Sequence, residues 1–307
     1  MQNRKIRIGE IDREILMVLY RYGWAYDYHI AALIGESQSY IKGRLKQLAQ
    51  AGLIGRKILL GNEPAANWLL KEGMKMLDVE PRKIHEPMPK TCVHDKACAD
   101  LYTALAITSS ISGNKRVRPY NFNNIITEKD LFAARKNIDT GYKRKDGKTI
   151  FKPVDLAHRP DGYLITKTGR YIALEAELTP KSKKSKLFAN MDSNFKYFSN
   201  QWWFTDRDSI KKAIISHAND MGITDRVKVY SMSKIHDQVI KYVNALPQTI
   251  AKKDGRNRIT SVLLDPPTII PTEDLPKQRN LIISSTNTSA PTIIPTVLPK
   301  VKVKLEA

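Results

Sequence analysis

Apolar residues recur at helical spacing through residues 11–20, where Ile11, Ile15, Leu16, Val18 and Leu19 share a stripe that stops near Gly23. A second short helix is expected over Tyr28–Ile34, ended by Gly35. Ser37 suits the N-cap of a third, with Tyr40, Ile41, Leu45 and Leu48 inward and Lys42, Arg44, Lys46 and Gln47 off that stripe. After Gly52 the pattern shortens. Arg56–Leu60, a Gly61-Asn62-Glu63-Pro64 turn and Asn67–Leu70 read as a β-hairpin, followed by a helix over Leu70–Leu77. Residues 79–91 contain prolines and read as a linker. Beyond it, His94–Ser109 is strongly helical, with Ala97, Leu101, Ala104 and Leu105 on one face. Gly162–Thr166 and Tyr171–Leu178 form a hairpin through Lys167-Thr168-Gly169. Lys183–Phe198 is a helix with Leu187, Met191, Phe195 and Phe198 inward, and Gln201–Thr205 a strand. Asp208–Met221 (helix, capped by Asp208-Ser209), Arg226–Tyr230 (strand) and Ile235–Val243 (helix) complete the periodic part. The paired Trp202-Trp203 are expected in the sheet core rather than on a base-stacking platform.

This pattern predicts an α+β or α/β chain: a winged helix over residues 1–78, a mixed sheet flanked by helices over 92–245, and a disordered tail from 246. In the tail Pro, Thr, Ser and Asn dominate. The segment Pro267-Thr268-Ile269-Ile270-Pro271-Thr272 returns as Pro291-Thr292-Ile293-Ile294-Pro295-Thr296, which suits bivalent docking on an unknown protein partner.

Charge narrows the function. Lys+Arg number 51 against 31 Asp+Glu, a formal net charge of +20, and little of the excess lies in the tail. Such a balance points to a polyanion, most simply double-stranded DNA. No apolar run is long enough to span a membrane, so a protein without membrane insertion, located in the cytoplasm, is expected. No RNA-binding signature is present. Lys42, Arg44 and Lys46 on the third helix, with Arg56 and Lys57 on the hairpin, are the candidate DNA contacts. Lys143, Arg144 and Lys145, before an Asp146-Gly147 turn, are further candidates on a basic hairpin. Cys92, His94 and Cys98 offer three donors in a short stretch, but no fourth ligand at a zinc spacing, so ordinary structural thiols are expected. His94 reads as a helix-start or packed histidine more readily than a catalytic one.

The chemistry concentrates in Arg159-Pro160-Asp161-Gly162 and Glu175-Ala176-Glu177. Alternation along a strand puts Glu175 and Glu177 on one side, and the hairpin brings Asp161 beside them. Three close carboxylates invite a divalent cation. The bland alternative is a set of strand carboxylates paired with nearby lysines.

Over roughly Ile11–Tyr230 the chain resembles the plasmid replication-relaxation family, which includes mobilisation (MobC-type) relaxases. The resemblance rests on the winged-helix start, Trp68-Leu69-Leu70-Lys71-Glu72-Gly73, Val93-His94-Asp95, Arg159-Pro160-Asp161-Gly162 and Leu174-Glu175-Ala176-Glu177. It implies a winged helix fused to a restriction-endonuclease-like, PD-(D/E)XK core. In that core Asp161 and Glu175, joined by Glu177, would hold Mg²⁺ or Mn²⁺ for nicking one strand at an origin. Glu177 occupies the position where such nucleases carry a lysine, and Lys183 or Lys186 would have to supply one from the next helix. A tyrosine nucleophile is a second route, but the histidine cluster of tyrosine relaxases does not accompany it. Without cutting, the implied role is that of a winged-helix regulator or replication accessory factor.

Overall fold

The computed structural model describes residues 7–77, 79, 82, 84–110, 124–130, 158–166, 168–179 and 184–246. It is a mixed α+β chain with two sheets. In the first part, α1 (Glu10–Tyr22), α2 (Asp27–Ile34) and α3 (Gln38–Gln50) surround a small sheet. Gly23 and Gly35, both with positive φ, end α1 and α2 where the pattern breaks. Ser37 caps α3 by accepting the Tyr40 backbone N–H. The sheet is β2 (Ile54–Ile58) paired antiparallel with β3 (Ala65–Leu69), extended on the other edge of β3 by β1 (Trp24–Ala25). The expected helix after it shrinks to the single turn α4 (Lys71–Met74).

The long helix α5 runs Pro89–Ser110, so residues 89–91 of the expected linker are helical. The second sheet has the order β4 (Ile125–Thr127), β5 (Gly162–Ile165), β6 (Tyr171–Ala176), β7 (Asn200–Phe204), β8 (Val227–Tyr230). Its first three strands are antiparallel and its last three parallel. The parallel connections carry α6 (Lys184–Tyr197) and α7 (Asp208–Asp220), and α8 (Met232–Asn244) follows.

Alternation along the strands builds two cores. Ile172, Leu174, Trp202 and Phe204 belong to the core that also holds α5 and α8. Trp203 packs with Leu187, Met191, Ile210 and Ile214 of α6 and α7 on the other side. Both tryptophans are thus sheet-core residues. The first core is continuous with Ile15, Leu19, Ile30, Leu45 and Trp68 of the N-terminal part.

A buried polar hub ties the pieces together. Asp100 on α5 accepts hydrogen bonds from Tyr28 Oη at 3.1 Å and His29 Nε2 at 2.8 Å on α2. From the other side come His236 of α8 at 3.1 Å and Lys96 at 3.3 Å. The Tyr26 backbone N–H donates to His29 Nδ1, which leaves the proton on Nε2 and fixes His29 as a neutral donor to Asp100. Burial also lowers the His29 pKa, in the same direction. Burial pushes the Asp100 carboxyl up, but the hydrogen bonds from His236 and His29 outweigh it and hold it well below the usual range.

Two inward assignments need correction. Tyr40 is 40% exposed, because the helical period of α3 sets it about 100° round from the Ile41–Leu45–Leu48 stripe. Phe195 is 36% exposed, beneath the Arg226 guanidinium, while Leu187 and Met191 carry the inward face of α6. The cap predicted for α7 from Asp208-Ser209 also falls differently: Arg207 is the N-cap residue, without a side-chain hydrogen bond.

Candidate functional site

Two regions answer to the sequence predictions. The first is the outer side of α3. Burying Ile41, Leu45 and Leu48 leaves Ser39, Tyr40, Lys42, Gly43, Lys46 and Gln47 exposed. Arg44 is not among them. Its guanidinium makes a forked pair with the buried Asp12 of α1, Nε to Oδ1 at 2.9 Å and Nη2 to Oδ2 at 2.6 Å. Asp12 in turn accepts the Gly9 N–H at the start of α1. Arg44 therefore locks α3 to α1. Arg56 is likewise turned onto its neighbour strand, donating to Asn67 at 3.0 Å. Lys42 lies 3.5 Å from Asp27 but stays half exposed, and Lys57 pairs with exposed Glu86. Lys143, Arg144 and Lys145 lie outside the described residues, as do Lys183 and the tail repeats.

The second region lies at the mouth of β5 and β6. Register places Gly162 opposite Leu174, so Asp161 and Glu175 flank the next step of the ladder. Gly162 is required there: a Cβ would stand 2.8 Å from the Ile126 carbonyl and 3.0 Å from the Tyr102 ring. Asp161 leans toward α5. Tyr102 donates its hydroxyl hydrogen to the Asp161 backbone carbonyl. The Ala176 N–H donates to Asp161 Oδ2 at 2.7 Å, and His94 Nε2 stands 3.3 Å from Oδ1.

Glu175 leans the other way, toward α6. It is 4% exposed, and its Oε1 meets His158 Nε2 at 2.6 Å and Asn194 Nδ2 at 2.7 Å. Burial raises its pKa, the His158 contact opposes, and the negative charge of Asp161 adds to the rise. Glu177 sits beyond the strand end, its N–H on the Phe204 carbonyl, and Lys186 is exposed on the first turn of α6.

The predicted Mg²⁺ shell was tested on this geometry. Mg²⁺ demands near-ideal octahedral oxygen coordination. Asp161 and Glu175 each already meet protein donors, and they lean to opposite sides of the sheet. Among the described residues, the group whose donor atoms converge is His94, Cys98 and Asp161, not Asp161, Glu175 and Glu177. Nitrogen and sulfur beside one carboxylate do not fit Mg²⁺.

Sequence reasoning missed His158 and Asn194 on Glu175 and did not join His94 to Asp161. The i, i+4, i+8 spacing of His94, Cys98 and Tyr102 is the signal that places all three on one line of α5.

The Asp161 hydrogen bond raises the His94 pKa to about 9, burial working against it. His94 should therefore titrate by NMR near 9, and Asp161→Asn should return it toward the ordinary value of about 6.5. The folded value exceeds the unfolded one. The pair's stabilisation is thus complete below about pH 6.5 and lost as pH rises to about 9. The ring is 42% exposed, so the effect on global stability is small. A titration unchanged in Asp161→Asn would refute the pairing.

No family model matches this chain, and no curated protein matches it. Among the described residues no helix is long and apolar enough to cross a membrane.

Proposed function

We propose that this chain is a DNA-binding protein of a mobile element, acting in plasmid mobilisation or replication. In this reading residues 1–78 are a winged helix and residues 92–245 a nuclease-like unit. The observation that carries it is the outer side of α3. It presents Lys42 and Lys46 among small polar residues, on a chain of net charge +20, with the β2–β3 hairpin alongside. Exposed lysines supply phosphate contacts without sequence information, while Ser39 and Gln47 can reach base edges. The tail repeats are the proposed dock for a protein partner.

Gly43 adds a specific argument. It lies in the middle of α3, and a Cβ built on it would meet nothing within 4 Å. Glycine there costs about 1 kcal/mol relative to alanine, and the fold gives no packing reason for it. Close approach of a partner's backbone supplies one. Gly43→Ala should raise stability by up to about 1 kcal/mol and still weaken duplex binding. A variant that is stabilised and binds equally well would remove Gly43 from the interface.

Strand cleavage is the second reading. Glu175 on β6 and Asp161, one residue ahead of β5, lie at the end of a mixed sheet flanked by helices, which supports the kind of core that the family resemblance implies. The opposing observation is that Glu177 stands at the lysine position and Glu175 is satisfied by His158 and Asn194. Supercoiled plasmid bearing the element's origin separates the two, incubated with Mn²⁺, Mg²⁺ or Zn²⁺ against EDTA. Open circles that vanish in Asp161→Ala would establish nicking. Intact plasmid with a retained gel shift would leave a regulator or accessory factor, and no gel shift at all would refute DNA binding.

A further inference from the structure

We infer that His94, Cys98 and Asp161 form a binding site for a transition-metal dication of the zinc type, rather than for Mg²⁺. Two of the ligands come from one helix face. His94 and Cys98 are four residues apart on α5, and Cys98 Sγ lies 3.8 Å from His94 Nδ1 and 4.0 Å from Nε2. The third arrives from the sheet, with Asp161 Oδ1 3.3 Å from His94 Nε2. The three donor atoms all lie within 4.8 Å of one another. In a tetrahedral zinc centre, metal–ligand bonds of about 2.0–2.3 Å put neighbouring donors roughly 3.3–3.6 Å apart. The donors therefore need to draw together by no more than about 1.5 Å to close on an ion.

The surroundings are those of a held ligand set. Asp161 is fixed from behind by the Ala176 N–H on its other carboxylate oxygen and by Tyr102 on its backbone carbonyl. His94 is half exposed, which leaves an entry path, while Cys98 is buried. A small cavity of about 10 Å³ adjoins Cys98, lined also by Asp95, Tyr102 and Glu128. Three protein ligands with an open fourth position is the pattern of a zinc that meets solvent or substrate. A thiolate and an imidazole select a borderline ion over Mg²⁺; as the ion binds it replaces the proton that His94 shares with Asp161, and that proton and the Cys98 thiol proton both pass to solvent. Cys92 takes no part, because its Sγ donates to the Pro89 carbonyl.

The test is titration of the metal-free full chain with Co²⁺ in excess Mg²⁺. The chain has only two cysteines, Cys92 and Cys98, so a thiolate-to-cobalt charge-transfer band reports directly on them. We expect the band to form, to be displaced by Zn²⁺ and not by Mg²⁺, and to vanish in Cys98→Ser but not in Cys92→Ser. His94→Ala, at a half-exposed position and checked for folding, should weaken Zn²⁺ at least about 100-fold in calorimetry. No band, a band that survives Cys98→Ser, or Zn²⁺ affinity unchanged in His94→Ala would overturn the assignment. A gel shift run on the same samples keeps the outcome separate from DNA binding, since α3 is remote in sequence from these ligands.

Discussion

Asp100→Ala should destabilise the folded chain by about 3–5 kcal/mol, the usual consequence of removing one partner from a buried ionic hydrogen-bond group. Asp100 is 2% exposed and is the common acceptor for α2, α5 and α8. Its loss leaves the Tyr28 hydroxyl and the His29 Nε2–H without an acceptor in a site water does not reach. The side chain removed is small, so cavity formation contributes less than the orphaned donors. Thermal unfolding should fall by roughly 6–20 °C for a chain of this size. Because the first core runs unbroken from α1 to α8, the loss should appear in one transition rather than in a separate N-terminal melt. A change under about 1 kcal/mol would mean the hub is solvated and does not join the helices.

The parts of the fold that were legible in the sequence are those governed by local rules. Helix stripes ending at glycine gave α1 and α2, Ser37 announced α3, and a turn signal ending at Gly169, which has positive φ, marked the β5–β6 hairpin. The two-residue β1 and three-residue β4 were not, because strands that short carry no alternation. The site was legible in part. The hairpin does bring Asp161, one residue ahead of β5, next to Glu175 of β6, but periodicity cannot say which side of the sheet each carboxylate leans to. That depends on Asn194 and His158 drawing Glu175 one way and His94 and Tyr102 holding Asp161 the other. Arg44 shows the same limit. Its place off the apolar stripe suggests solvent, yet its partner Asp12 is 32 residues away and buried. A guanidinium held on both edges by a buried carboxylate, as Arg44 is by Asp12, is not available to DNA, whereas Lys42 keeps its half-exposed ammonium beside Asp27.

Lys42 and Lys46 are the exposed lysines of α3, and their joint replacement by alanine should produce the largest functional loss. Each phosphate contact releases condensed counterion, so affinity for duplex falls with salt at a slope near −0.9 per contact. Removing both lysines should flatten that slope by about 2 and weaken binding similarly across sequences. Stability should hardly change, because Lys46 is exposed and Lys42 makes only a 3.5 Å half-exposed approach to Asp27. The decisive measurement is therefore duplex affinity as a function of salt for the wild-type chain and for Lys42→Ala/Lys46→Ala, both checked for folding. Tight, steeply salt-dependent wild-type binding with a shallower slope in the variant is the predicted result. Absent binding, or an identical slope in the two proteins, would contradict a DNA interface on α3.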